Sequence, residues 1–366
     1  MKILALIKTK ELSYGGPINL LKLQKSNLKD KCQISIVPTD RINLWLLILL
    51  FFGLKKKKFF FKFNIIHFHD IWNYKSIIIA HFLKKKSIPY LFSLHGLFDK
   101  WSLKQNFLIK KIIFFLFLKN IFSRNSCLQI STIEELKEAE ISIKSKNFFL
   151  IPNGVDRKYF NNNPKTLKKN IVNFVFFGRI HKKKGIELLI ESFRMLLNDP
   201  MSRVISFHLN IIGPGHKSYV NKIINLINKF KLYDRIKIFD AIYDETLKAR
   251  YLKQQDIFVL ASFEEADSVA LKEALAIGLP VIISEQCRLE EVRKFDCGLI
   301  VKTDILNIFL SLKEILNKNF SNMSLNAINL INTKYDSKLI NDDLYNIYID
   351  IYHGTRFSKC WIIDNN

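Results

Sequence analysis

The sequence predicts an α/β protein built from two doubly wound domains. Short apolar runs of strand length alternate with longer stretches of helical spacing through most of the chain. Many of these runs are apolar at every position, as in strands buried on both faces of a parallel sheet. The alternation is interrupted by a polar stretch around Arg157 to Lys169 and then restarts. Strand and helix alternating in this way give a parallel sheet covered by helices.

In the first half the strands are expected at Ile3–Ile7, Ile34–Val37, Ile65–Phe68, Tyr90–Leu94, Leu128–Ile130 and Phe148–Ile151. In the second half Val172–Phe177 is a strand followed by a helix from about Gly185 to Leu197. Phe207–Ile212 follows with a helix from about Tyr219 to Phe230, then strands at Ile236–Phe239, Ile257–Leu260 and Val281–Ile283. Asn161, Asn162, Asn163 and Pro164 mark the break between the halves. The expected domains are residues 1–160 and 170–335, followed by a helix and tail over 336–366 that pack back toward the first domain. That last helix carries Leu339, Leu344, Ile347 and Ile351 at helical spacing. Two such domains are expected to face each other across a cleft between the carboxyl ends of their sheets, where open α/β folds bind ligands.

The 366 residues suffice for two cores, and 49% hydrophobic with 25% charged residues excludes a disordered chain. A net charge of +24 favours anionic partners, with a membrane surface ahead of nucleic acid because the lysine runs lie beside apolar runs. Cys32, Cys127, Cys287, Cys297 and Cys360 are scattered and form no C-x-x-C pair, which fits a reducing cytoplasm. The longest apolar run, Leu44–Leu54, would span about 16 Å as a helix, short of the roughly 30 Å hydrocarbon core. That run leads into Lys55–Lys58 and Phe59–Phe61, and Phe107–Phe122 interleaves Lys110, Lys111 and Lys119 with apolar residues. Two readings of these stretches stay open: interfacial binding at the inner face of the cytoplasmic membrane, or helices packed in the core.

Chemistry concentrates in Val259–Ile283. A strand ends near Leu260, a loop holds Ser262, Glu264, Glu265 and Asp267, and a helix runs from about Ser268 to the Gly278-Leu279-Pro280 stop. Glu265 and Glu273 are eight positions apart, about 80° out of register on one helix. They converge on a ligand only if Glu265 lies in the loop and Glu273 in the helix. The amides of Ser268, Val269 and Ala270 would then be free donors at a helix N-terminus, suited to a diphosphate. The competing reading has Asp267 or Ser268 merely capping the helix, with both glutamates solvated. A second segment, Phe177-Gly178-Arg179-Ile180-His181-Lys182-Lys183-Lys184-Gly185, places cations between a strand and a helix. Ser93-Leu94-His95-Gly96 and Tyr14-Gly15-Gly16-Pro17 each follow a first-half strand, and Ile211-Ile212-Gly213-Pro214-Gly215 ends a second-half strand.

In this order the motifs resemble family 4 of the retaining glycosyltransferases, which have the GT-B fold of two Rossmann-like domains. The glutamate pair resembles the family's Glu, seven residues, Glu motif, which implies that Glu265 contacts sugar hydroxyls and Glu273 the ribose. The basic loop is similar to the family's G-R-x-x-x-x-K-G, which implies that Gly178, Arg179 and Lys184 meet the phosphates. The resemblance further implies donor contacts from Gly15, Gly16, Gly213, Asp267, Ser268, Val269 and Ala270, and His95 against the transferred sugar. Ile151-Pro152-Asn153-Gly154-Val155-Asp156 resembles the crossover between domains. The chain departs from the family at Ala266-Asp267-Ser268, where a Gly-Phe-Gly-like triplet is common, and at Ala241, where glycine is common. Asp267 either caps the helix or marks a different donor geometry.

The resemblance implies a hexosyltransferase that moves sugar from a nucleotide diphosphate donor to a lipid-linked or cell-surface polysaccharide precursor, such as one for lipopolysaccharide. No D-x-D carboxylate pair is present, so a metal-independent reaction without a cofactor is expected. His67-x-His69 at a strand end offers zinc two ligands without an evident third, so no metal site is expected. Nucleic acid is not an expected partner. The alternatives are a nucleotide-sugar 2-epimerase of the same fold, and a non-catalytic basic protein binding membranes or nucleic acid.

Overall fold

The computed structural model describes residues 1–9, 16–43, 45, 47, 59–96, 118, 121–122, 126–142, 147–160, 163–167 and 170–354. The chain forms two compact units, Met1–Gly154 joined by the segment from Ser337 onward, and Val155–Asp336.

The first unit is a parallel six-stranded sheet: β1 (Lys2–Ile7), β2 (Gln33–Pro38), β3 (Ile65–Phe68), β4 (Tyr90–Ser93), β5 (Ser126–Ile130) and β6 (Phe148–Leu150), in the order β2-β1-β3-β4-β5-β6. Side chains alternate between its faces. Leu4, Leu6, Ile66, Phe68, Phe92 and Leu128 enter one core layer. Ile3, Ala5, Ile7, Ile65, Leu91 and Phe149 enter the other. Burial on both faces is why these strands read as unbroken apolar runs. The helices α1 (Gly16–Asn27), α2 (Tyr74–Lys85) and α3 (Ile133–Ser142) supply cover.

The C-terminal helix, Ser337–His353, packs on the first unit through Ile340, Leu344, Ile347 and Tyr348, which join Ile18 and Leu21 of α1. Leu339, expected on this stripe, is 52% exposed. The 4-3-4 spacing of 340, 344, 347 and 351 keeps one face, whereas 339 to 344 does not.

Most of the two basic-apolar stretches, including Gly15 upstream of them and the lysines at 55–58, 110, 111 and 119, lies outside the described residues. Leu47, Leu118, Ile121 and Phe122 are buried in the first unit's core, and the Tyr90 hydroxyl donates to the Ile121 carbonyl at 2.8 Å. Trp45, Phe59 and Phe61 are exposed. Among the described residues no helix is long and apolar enough to cross a membrane.

The second unit is another parallel six-stranded sheet: β7 (Ile171–Phe177), β8 (Ser206–Ile212), β9 (Ile236–Phe239), β10 (Ile257–Leu260), β11 (Val281–Ser284) and β12 (Gly298–Val301), in the order β12-β11-β10-β7-β8-β9. Both units are therefore Rossmann-like α/β sheets. β12 has no counterpart among the expected strands. Its helices include α4 (Ile186–Asn198), α5 (Lys217–Lys229), α6 (Glu245–Lys253) and α7 (Val269–Ala276). The polar stretch between the halves is held to this unit: Lys165 donates from its amide to Ser324 Oγ at 2.8 Å and from Nζ to the Gln255 carbonyl at 2.5 Å.

Candidate functional site

The strand order of the second unit locates its ligand crevice. From β7 the chain moves outward through β8 and β9, then returns to the other side of β7 as β10. β7 and β10 pair directly, Ile257 opposite Phe174 and Phe258 opposite Val175. The loops leaving their carboxyl ends, at 178–185 and 261–268, therefore emerge side by side at a topological switch point. Glycine permits the close approach. Gly185 has φ 64°, and a Cβ there would lie 2.0 Å from the Ala261 carbonyl oxygen. Gly213 has φ 147°, and a Cβ there would lie 1.9 Å from the Gly178 carbonyl oxygen. The Phe263 amide donates to the Lys183 carbonyl at 2.8 Å, tying the two loops together.

This arrangement brings Lys184 onto Glu265, and the ammonium pairs with Glu265 Oε1. The Ser262 hydroxyl donates to the same oxygen at 2.6 Å, and the Ser284 hydroxyl in turn fixes the Ser262 carbonyl at 2.6 Å. Oε2 of Glu265 accepts no hydrogen bond from the described residues, so one oxygen is anchored and one is open. Glu264 points elsewhere, toward Arg288 at 3.4 Å. Lys184 closes a 3₁₀ turn, Lys182–Lys184, whose start is capped by His181 accepting from the Lys183 amide at 3.2 Å. Burial and the charges of Arg179, Lys182, Lys183 and Lys184 hold the His181 imidazole below its ordinary range, so the ring stays neutral inside a cationic loop. Arg179 is exposed and makes no ion pair with the described residues.

Glu265 lies in the loop and Glu273 in α7, the split required by their spacing. Ser268 caps α7, its hydroxyl accepting from the Leu271 amide at 3.4 Å. The amides of Val269 and Ala270 have no acceptor among the described residues, which leaves two donors at the positive end of the helix dipole. Ser268, not Asp267, is the capping residue of α7. Asp267 pairs at 2.5 Å with Lys272, whose buried ammonium sits 4.0 Å from the Tyr335 ring centroid. Its charge is thus answered within the protein.

Glu273 is buried against Lys248 of α6 at 2.6 Å, and Lys248 also holds Glu245 at 2.8 Å. The Lys248 ammonium lies 5.2 Å from the Phe160 ring centroid and 5.9 Å from that of Phe177, at the end of β7. Burial pushes the Glu273 carboxyl up to about 7, against the pull of Lys248. Burial also disfavours the Lys248 ammonium, but Glu273 and Glu245 together hold its pKa above the ordinary value. Sequence reasoning missed Lys248. The signal was Asp244-Glu245, with Asp244 accepting from the Leu247 amide at 2.8 Å and Glu245 one turn before the lysine.

The first unit has its own switch point, between β1 and β3, which pair through Leu4 and Ile66. Gly16 opens α1 there, while Tyr14 and Gly15 lie outside the described residues. At the ends of β3 and β4 stand three histidines. His67 is fully bonded, to the Tyr348 hydroxyl at 2.7 Å and to Ser93 Oγ at 2.6 Å. His69 Nδ1 lies 3.1 Å from His95 Nε2. His95 has φ 48°, and the turn is held by the Gly96 amide donating to Glu135 at 2.5 Å. Among the described residues no group of three or more His, Cys, Asp or Glu side chains is arranged to hold a metal ion.

Burial lowers His67 to about 3, lowers His69, and lowers His95 to about 4. Folding therefore disfavours protons that the unfolded chain would take up near 6.5. The stability of the first unit is expected to fall as pH drops from about 6.5 toward 4. Thermal melts at pH 7.5, 6 and 5 test this, and a melting temperature flat over that range would contradict it.

Residues 155–327 match the family described as "Glycosyl transferases group 1". That match spans most of the second unit, Val155–Asp336. The amylovoran biosynthesis glycosyltransferase AmsK of Erwinia amylovora is 29% identical over 179 residues, 47% of this chain and 42% of that protein. The chain spans about two fifths of the length of such curated relatives. Among solved structures, sucrose-phosphate synthase from Thermosynechococcus elongatus superposes with a TM-score of 0.76 at 16% identity, covering 97% of this chain and all (100%) of that one. Anabaena HepE in complex with UDP-glucose gives 0.73 at 16% identity, covering 96% of this chain and 100% of that one. These neighbours place both units in the GT-B fold class. The matched residues include Arg179, Lys184, Glu265 and Glu273; His95 and Gly16 belong to the first unit.

Proposed function

We propose that the chain is a retaining glycosyltransferase that moves a hexose from a nucleotide diphosphate sugar to a hydroxyl of a lipid-linked or cell-surface polysaccharide precursor. The observation that carries this is the Lys184–Glu265 pair at the β7/β10 switch point, with one Glu265 oxygen open and unpaired helix amides beside it. The transferase names of the relatives favour transfer over epimerisation.

In this reading Arg179, Lys184 and the amides of Val269 and Ala270 receive the diphosphate. Gly178 and Gly213 let backbone approach it. These groups stabilise the negative charge that grows on the leaving phosphate oxygen, the work a metal ion does elsewhere. The open oxygen of Glu265 accepts from a sugar hydroxyl, and Glu273 accepts from the ribose. The acceptor oxygen bonds to the anomeric carbon on the face the diphosphate leaves. The carbon–phosphate oxygen bond breaks, and the acceptor proton passes to that departing oxygen. Attack on the leaving face retains configuration. Asp267 supports the loop through Lys272, and His95 contacts the transferred sugar. A lipid-linked acceptor would bring the enzyme to the cytoplasmic membrane face, where the net charge of +24 and exposed Trp45, Phe59 and Phe61 suit an anionic surface.

Screening nucleotide sugars by thermal shift, beginning with UDP-glucose, selects the donor. Transfer is then run with that donor, an excess of acceptor and a chelator, and the anomeric configuration of the product is read by proton NMR. The expected product retains the donor configuration and forms at an undiminished rate with chelator. An inverted product, or loss of transfer on chelation, would refute the mechanism.

A further inference from the structure

The polar groups at the ends of β3 and β4 form two chains of hydrogen bonds, and only one is complete. In the first, the Gln129 amide donates to the Ile151 carbonyl at 3.1 Å, which leaves Gln129 Oε1 as an acceptor. The Ser93 hydroxyl donates to that oxygen at 2.6 Å. Ser93 Oγ must then accept from His67 Nε2, and His67 Nδ1 must accept from the Tyr348 hydroxyl. One tautomer of His67 satisfies every group.

The second chain is His69 Nδ1 to His95 Nε2 at 3.1 Å, with the ring planes 23° apart. His69 is packed against His67, ring centroids 4.0 Å apart, and its Nε2 is buried without a partner among the described residues. A neutral imidazole has one N–H and one bare nitrogen. If His95 donated from Nε2, the His69 proton would sit on Nε2 as a buried, unpaired N–H. If His69 donates from Nδ1, Nε2 carries only a lone pair. Orphaned buried N–H groups are the rarer defect in folded proteins. The remaining proton of His95 is then on Nδ1, on a ring that is only partly buried and can reach water or ligand.

We infer that His69 is a positioning residue whose Nδ1–H holds His95 in the Nδ1–H tautomer, so that His95 presents a hydrogen-bond donor to its ligand. The left-handed backbone of His95, fixed by Glu135 on Gly96 and by the Leu94 amide donating to the Gln129 carbonyl at 3.0 Å, aims the ring, while His69 sets its protonation. The value of this for transfer rests on the proposed function. His95 would donate to a sugar hydroxyl and never compete with it as an acceptor.

Nitrogen-15 NMR of histidine-labelled protein tests the tautomer without any substrate. His95 is expected to show a protonated Nδ1 and a bare Nε2 near pH 7.5. A His95 protonated at Nε2 in the wild type overturns the inference at once. Two variants extend the test. His69→Asn keeps an N–H near the Nδ1 position and should keep both the tautomer and turnover. His69→Leu removes the donor, should mix the tautomers, and should cut kcat about tenfold to a hundredfold, with the KM for donor changed less. Equal kcat in the two folded variants would overturn it. If His69→Leu does not fold, the wild-type spectrum and the asparagine rescue still decide. If the wild type shows the expected tautomer but binds no nucleotide sugar, the proposed function fails and the tautomer assignment stands.

Discussion

Alanine in place of Lys184 is expected to lower transfer by about two to three orders of magnitude, the usual cost of removing one preorganised charge from a developing anion. In the proposed reaction Lys184 would reach both partners: the phosphate that departs and Glu265, which would hold the sugar. In the free protein its ammonium is stored on Glu265 Oε1, which Ser262 also holds. The variant should still fold, because Glu265 keeps the Ser262 hydroxyl and loses one charged bond worth about 1–3 kcal/mol. Glu265→Ala should cost a similar factor. The double variant should be little worse than either single one, since the two side chains act as one unit. Initial rates at saturating donor, with circular dichroism melts as the folding control, check this. Additive losses would separate the two roles.

The largest expected effect on stability is Lys248→Met. This leaves Glu273 buried and Glu245 half-buried with no cation between them. Removing the cation from a buried pair costs about 3–5 kcal/mol, because Glu273, its carboxyl already pushed up to about 7 by burial beside Lys248, must then keep a desolvated charge or take up a proton. For a unit of this size that lowers the melting temperature by roughly 10 °C. Adding Glu273→Gln should recover part of the loss by removing the stranded charge. Thermal unfolding of the single and double variants measures it. A single variant as stable as wild type would mean that Lys248 does not compensate the two carboxylates.

The strands were readable because burial on both faces writes a continuous apolar run, and Ile65–Phe68, Ile236–Phe239 and Ile257–Leu260 match residue for residue. β12 was not readable: it begins at Gly298, where a Cβ would lie 2.2 Å from the Val281 carbonyl oxygen, and has only three apolar residues after a charged turn. The loop-and-helix division of Glu265 and Glu273 was readable from the strand end near Leu260 and the helix start near Ser268, and it meets the condition that their angular spacing sets. Their ion-pair partners did not. Lys248 and Lys272 are buried lysines, and a lysine on an amphipathic helix reads as solvated until the element packed against it is known. Asp267 and Lys272 meet across a loop-to-helix junction, which no periodicity encodes. The His69–His95 contact depends on β3 lying beside β4, a matter of strand order, with His67 opposite Leu91.

The central claim is a nucleotide-sugar site at the β7/β10 switch point, and calorimetric titration of UDP and UDP-glucose into wild type and Arg179→Ala tests it most directly. Arg179 is exposed and makes no ion pair with the described residues, so its removal perturbs binding without stranding a buried carboxylate. Saturable one-site binding to the wild type is expected, weakened about tenfold to a hundredfold in the variant by loss of one charged hydrogen bond. No saturable binding of any nucleotide sugar, or affinity equal in the two proteins, would contradict it.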